Sequence, residues 1–229
     1  MFAAVGRTVP LVLVAAAFLA ACRTPAPALK PTTGGAADPR ERLADERWAR
    51  ATQGLAFDAP SGLVAVEPLA TAGVSAVEHL ARGQSLLQSN RIDDAIEAYA
   101  LAVRTDPSRA DAFVGLGTTI KLEGRLDEAI VALRTALDRD PRHVEARYQL
   151  AMALWTKGLP DDATHQMNSV LVEDAAHVRA HERLAVWSYY GGEYARAWRH
   201  LHRAEELGGA VPAQLSSMLA SKMPDPAAD

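Results

Sequence analysis

Residues 110–143 read ADAFVGLGTTIKLEGRLDEAIVALRTALDRDPRH, and their internal order sets the architecture to be expected of most of the chain. Two apolar-patterned runs, Phe113 to Ile120 and Ala129 to Ala136, lie either side of Gly124, and Pro141 follows the second. Steps of 34 residues in either direction return the same landmarks. Ala95, Ala129, Ala163 and Ala197 recur at that interval, as do Asn90, Gly124, Gly158 and Gly192. Small residues also recur at Gly83, Gly117, Ala151 and Ala185. Two helices approach closely only where side chains are small, so these positions predict a tight crossing within each helix pair. The Asn/Gly positions suit a left-handed backbone at a helix end. Pro107 and Pro141 stop one helix before the next begins. A period kept this strictly predicts a solenoid, in which each pair buries its apolar face against its neighbours.

The residues carry a family resemblance as well. Phe113-x-x-Leu116-Gly117-x-x-Ile120, followed by Ala129, Leu133, Ala136 and Pro141, resembles a tetratricopeptide repeat. The flanking units match at Gly83, Leu86, Ala95, Tyr99, Ala102 and Pro107, at Leu150, Ala151, Leu154, Ala163 and Met167, and at Leu184, Ala185, Ala197, Leu201 and Ala204. The third departs from the pattern, with Ala175 where proline is expected. The resemblance implies an all-α fold, a right-handed α-solenoid of about four helix pairs over 76–109, 110–143, 144–177 and 178–211. Residues 212–223 place Leu215, Met218 and Leu219 at i, i+3 and i+4, so a capping helix is expected there, with 224–229 as a tail.

In this family the first helix of each repeat lines a concave groove through its second, fifth, ninth and twelfth positions. In the first two units these are Val77, Leu80, Gln84 and Leu87, then Asp111, Val114, Thr118 and Lys121. In the last two they are Glu145, Tyr148, Met152 and Trp155, then Arg179, Glu182, Val186 and Tyr189. Tyr148, Met152, Trp155, Arg179, Val186 and Tyr189 are the candidate partner-binding residues. Their aromatics either hold an extended peptide or short helix, or fill gaps between repeats. Repeats that grip a chaperone C-terminus use paired Lys and Asn residues. The fifth and ninth positions here lack that pairing.

The chain opens differently. Arg7 precedes an apolar run from Val9 to Ala21, about 20 Å as a helix and short of a ~30 Å hydrocarbon layer. A cleavable signal over 1–21 is expected. Leu19-Ala20-Ala21-Cys22 resembles the lipobox of bacterial lipoproteins, which implies cleavage before Cys22 and acylation of it. Two or more acyl chains anchor stably where one does not. Arg23 stands where an inner-membrane retention signal would have Asp, so the outer membrane, facing the periplasm, is favoured over the inner. Residues 22–40 are Pro-, Ala- and Gly-rich and read as a tether. Glu41 to Gln53 is expected to form a short helix, and 55–75 either a cap or a loop.

Composition excludes more than it assigns. The 229 residues include 24 Lys plus Arg against 28 Asp plus Glu, a net charge of −4 that gives no case for nucleic acid. The single cysteine excludes an internal disulfide and a Cys-based zinc site. His181-Glu182-Arg183-Leu184-Ala185 begins like a zinc-protease motif but has Ala185 in place of its second histidine. A metal-dependent periplasmic hydrolase built on His177, His181 and Glu182, with His200 or His202 nearby, is therefore the rival reading. Arg196, Arg199 and Arg203 form a basic stripe for an acidic partner or lipid, or a solvated face. No cofactor is expected beyond the lipid on Cys22. The expectation is a non-enzymatic, membrane-anchored scaffold that binds a protein segment of an envelope complex. It resembles the pilotin-type lipoproteins that bring a secretin to the outer membrane during pilus assembly. An adaptor for cell-wall enzymes or outer-membrane assembly uses the same parts.

Overall fold

The structure is a computed structural model and describes residues 39–58, 63–69, 74–210 and 212–227. The expected signal, Cys22 and nearly all of the tether lie outside the described residues. No helix among the described residues is long and apolar enough to cross a membrane.

Four helix pairs follow one another: α2 (Ala76–Gln88) with α3 (Ile92–Thr105), α4 (Ala110–Glu123) with α5 (Leu126–Arg139), α6 (Val144–Lys157) with α7 (Pro160–Glu173), and α8 (Val178–Tyr190) with α9 (Tyr194–Glu206). The first helices begin 34 residues apart. Between the two helices of each pair sits Asn90, Gly124, Gly158 or Gly192, with φ of 57°, 92°, 84° and 77°. Each takes the left-handed backbone that ends a helix in one residue.

The turns between pairs rest on a device the prolines only hint at. The carboxylates of Asp106, Asp140 and Asp174 accept from the backbone N–H two residues on, at 3.1 Å in each case. The third turn therefore holds its shape although Ala175 replaces proline. The next helix of the third and fourth pairs is then capped by histidine. His143 Nδ1 accepts from Ala146 N–H at 3.2 Å, and His177 Nδ1 from Ala180 N–H at 3.1 Å.

Within the pairs, small residues permit the close crossing. A Cβ at Gly117 would come within 2.8 Å of Leu133 and 3.1 Å of the Ala129 carbonyl, and the Tyr99 ring packs on Gly83 of its own pair and on Gly115 of the next. The core is three clusters in series. The first is centred on α3–α5, and the second spans α5 to α8 through Leu133, Leu154, Met167 and Leu184. The third joins α8, α9 and α10 (Ala213–Ala220) through Ala185, Leu201, Leu215 and Leu219. The capping helix thus forms where its Leu spacing places it. The tail beyond is partly docked: Trp198 Nε1–H donates to the Met223 carbonyl at 3.1 Å, and His202 Nε2 pairs with Asp225 at 3.1 Å.

The N-terminal segment forms the expected short helix and departs from expectation after it. Helix α1 (Pro39–Ala51) is followed by an antiparallel hairpin, β1 (Leu55–Asp58) and β2 (Leu63–Val66), with Leu55 opposite Val66. This segment does not cap the end of the solenoid. It lies as a belt across the second helices of the first two pairs, α1 on α3 and the hairpin on α5. The reason is written in those helices. α3 and α5 bury side chains over most of their circumference: α5 buries Ala129 to Leu133, Thr135 and Ala136 and leaves a narrow charged stripe at Asp127, Arg134 and Asp138. α7 buries only Ala163, Met167 and Val170. A helix whose apolar surface extends beyond one face needs cover from more than one side. Trp48, Leu55, Phe57, Val64 and Val66 supply it. Arg125 fastens the edge, lying 4.4 Å over the Trp48 ring and 3.1 Å from Asp45.

One polar contact fixes the hairpin's register on α5. The Val64 N–H donates to Thr135 Oγ1 at 2.9 Å, and that hydroxyl donates to the Val131 carbonyl at 2.9 Å. Thr135 is fully buried. Thr135→Val keeps the shape and strands the Val64 N–H, so chemical denaturation should show a loss of about 1–3 kcal/mol. An unchanged midpoint would mean that water reaches this N–H.

Candidate functional site

Helices α2, α4, α6 and α8 stand side by side, and their common face carries the candidate groove residues. The structure separates these into packed and open. Tyr148 is only 5% exposed: His177 stacks on its ring at 5.3 Å and the Arg179 guanidinium lies over it at 4.6 Å. It therefore serves first as a filler between the third and fourth pairs. Met152, Trp155, Val186 and Tyr189 are half-buried and leave part of their surface open. Trp155 lies flat against Trp187, centroids 4.4 Å apart and planes within 4°. Tyr189 packs edge-on to Tyr190 and close to Tyr194. Trp187 was not among the expected residues. It sits one position after Val186, off the groove register, and only the approach of α6 shows its role.

A polar chain crosses this face from the second pair to the fourth. The Lys121 ammonium donates to Gln149 Oε1, and Gln149 Nε2–H donates to Glu145 Oε1 at 2.6 Å. The other Glu145 oxygen accepts from Arg179 at 2.8 Å. Burial lowers the Lys121 pKa; Glu145 offsets this in part and the positive Arg183 adds to it. Asp111 is held below the usual carboxylate range, mainly by its hydrogen bond to His143 Nε2 at 3.1 Å, with Arg109 also contributing. Glu182 accepts from the Ala210 N–H at 3.1 Å.

The histidines that suggested a metal centre go to separate tasks. His177 caps α8, His202 holds the tail, and His181 pairs with His200. Among the described residues no three His, Cys, Asp or Glu side chains gather as a metal would need. In the His pair, Nδ1 faces Nδ1 at 3.0 Å while His181 Nε2 lies 3.2 Å from the Ala175 carbonyl. A carbonyl only accepts, so the proton sits on His181 Nε2 and its Nδ1 accepts from His200. Burial first, and then the neighbouring His181, Arg196 and Arg199, brings the His200 pKa down from 6.5 to about 4.

As pH falls from 6.5 to about 4, the unfolded chain takes up a proton at His200 that the folded chain refuses. Stability contributed by neutral His200 is full above 6.5 and declines as pH falls toward 4. His200→Asn should flatten the melting temperature between about pH 7 and pH 5 relative to the parent chain. Parallel pH profiles would refute the assignment.

In the basic stripe, Arg196 pairs with Glu193 at 3.0 Å and Arg203 with Glu206 at 2.9 Å. Two of its three charges are thus already matched within the chain.

Comparisons with known proteins agree with this geometry. Tetratricopeptide-repeat family models match residues 80–133 and 122–185. A MamA protein superposes with a TM-score of 0.56 at 19% identity, over 66% of this chain and 82% of its own. A thermophilic TPR protein of Thermus thermophilus gives 0.54 at 20% identity, over 65% and 81%. A chain of the APC/C hetero-tetramer Cut9-Hcn1 gives 0.57 at 22%, over 65% of this chain and 30% of that one. At such identities the likeness is one of fold. No curated protein matches the sequence. Residues 80–185 match tetratricopeptide repeats, and the helix pairs form an α-solenoid, a fold that generally mediates binding between proteins and is typically non-catalytic.

Proposed function

We propose that this repeat protein is a lipid-anchored scaffold of the bacterial envelope whose first-helix face holds a segment of a protein partner. The observation that carries the reading is a face on which Met152, Trp155, Val186 and Tyr189 keep apolar surface open beside a polar chain. Half-open aromatic and thioether side chains beside placed polar groups suit a bound peptide or helix. The lipobox-like Leu19 to Cys22 supports lipid anchoring, and Arg23 after it favours the outer membrane, on the periplasmic side. Anchoring raises the effective concentration of the face for partners on the same surface, so modest affinity suffices. The assembly served is a pilus or secretion complex, with a secretin as the partner, as for pilotin-type lipoproteins.

The test is crosslinking and capture from native membranes. The wild-type chain should retain a secretin, Trp155→Ala/Tyr189→Ala should lose it, and Cys22→Ser should move the protein out of the membrane fraction. Capture that survives the double substitution would place the binding surface elsewhere. A Cys22→Ser chain that stays in the membrane fraction would end the lipid-anchor reading.

A further inference from the structure

The second helix of each of the first three pairs opens with two acidic residues, and only the third pair leaves them unmatched. On α3, Asp93 pairs with Arg47 at 3.5 Å and Asp94 with Arg91 at 2.7 Å. On α5, Asp127 pairs with Lys157, and Glu128 with Arg125 at 3.5 Å. Asp161 and Asp162 take the same places on α7, 34 residues on. Both are exposed, and neither carboxylate has a hydrogen bond or ion pair among the described residues. The repeat count identifies the two cations that are missing. Arg91 and Arg125 each stand three residues before an acid they neutralise; Leu159 holds that place in the third pair and is 38% exposed. Lys157 reaches back to Asp127 from the following pair, and its counterpart beyond Asp161 is Gly191. An open leucine and a glycine thus stand where the earlier pairs have their counter-charges.

We propose that this rim, where α6 turns into α7, takes a Lys or Arg side chain of the partner segment on Asp161 and Asp162, with an apolar neighbour of that residue on Leu159. The inference rests on the groove reading above and specifies its partner's chemistry. The four acids of α3 and α5 find their cations inside the chain, so on α7 the cation is left for another molecule to supply. A helix start favours negative charge, but two adjacent carboxylates repel each other, and a cation between them relieves that repulsion. A metal ion does not suit the place, because no third His, Cys, Asp or Glu among the described residues joins the two. An anionic lipid surface would be repelled. Trp155, half-buried, and Tyr190, 42% exposed, stand in the last turns of α6 and α8 and carry the apolar surface along the same rim. A basic residue among apolar ones is therefore the recognition feature.

An array of random peptides, each about 12 residues long, probed with the full-length chain tests this. The bound set should be enriched in Lys or Arg flanked by apolar residues, and added salt should erode that enrichment. Asp161→Asn/Asp162→Asn should lose the enrichment and bind basic members about fivefold more weakly. Asp161→Glu/Asp162→Glu, which keeps the charge, should retain the preference. Both side chains are exposed, and a cooperative melting transition checks that each double variant is folded. A bound set with no basic preference would overturn the proposal and leave the groove reading standing. A preference that persists in the Asn variant would overturn it too. Failure to bind any peptide would overturn both readings.

Discussion

A chain lacking residues 39–69 is expected to lose its cooperative thermal transition and to aggregate during purification. The belt residues Trp48, Leu55, Phe57, Val64 and Val66 pack on α3 and α5, against Ala100, Val131 and Ala132 among others. Burying one such side chain is worth about 1.5–3 kcal/mol when complete. Several of the five are only partly buried and the unfolded chain hides some area already, so the sum is smaller than five full burials. It still reaches several kcal/mol, against a net stability of about 5–15 kcal/mol for a whole domain. The deletion also bares the outer sides of α3 and α5, which no other described element covers. Light scattering and binding of a hydrophobic dye would report this directly. Phe57→Ala in the intact chain provides the graded version. Its expected loss is about 1–3 kcal/mol, because Phe57 is half-buried and 5.6 Å from the Trp48 ring. A soluble deletion chain melting within a few degrees of the parent would mean the belt is ornamental.

Trp187→Ala is expected to cost about 3–5 kcal/mol and to split unfolding into two steps. Trp187 is 5% exposed and joins α8 to the flat face of Trp155 on α6. Between the third and fourth pairs the core depends on such large side chains, with Tyr148, His177 and Trp187 filling the space. In a solenoid each pair leans only on its neighbours, so weakening one junction uncouples what lies beyond it. The fourth pair and α10 should then unfold first, seen as loss of amide protection over 178–220 while 92–139 stays protected. Trp155→Ala removes the same stack from its more open side. It should cost less stability and more partner capture, which separates the structural role of the pair from the binding role. One unfolding step at an unchanged midpoint for Trp187→Ala would show that the stack carries no coupling.

The helix pairs were legible because their signals are local. A glycine or asparagine must sit where φ turns positive, and small residues must sit where two helices touch; both recur on a fixed count. The hairpin was not legible. Its strands are four residues each, and Pro60 and Gly62 between them read as loop. The signal for it lay elsewhere, in Ile130-Val131-Ala132-Leu133 of α5. Four apolar residues in a row spread beyond the face that the neighbouring repeat helices cover, so something outside the repeats had to cover the rest. Groove register was legible in the same partial way. Repeat position gave Tyr148 the same place as Val114 and Glu182, but exposure is set by the neighbouring pair. His177 and Arg179 close over Tyr148, whereas Glu182, on the last pair, turns to the Ala210 backbone. Trp187 shows the converse, a residue off the register that becomes central once α6 approaches.

The belt also has an order in time. Synthesis runs from the N-terminus, so α1 and the hairpin leave the ribosome before either helix they cover. Thr135, which accepts from Val64, follows it by 71 residues, several seconds later at about 5–20 residues per second. The cover is thus ready when the sticky sides of α3 and α5 emerge, and those sides need never face solvent bare. A circular permutant that moves residues 39–69 to the C-terminus would keep every contact and reverse that schedule. Its yield on expression, set against its refolding from denaturant, would measure how much of this protein's solubility is a matter of sequence order alone.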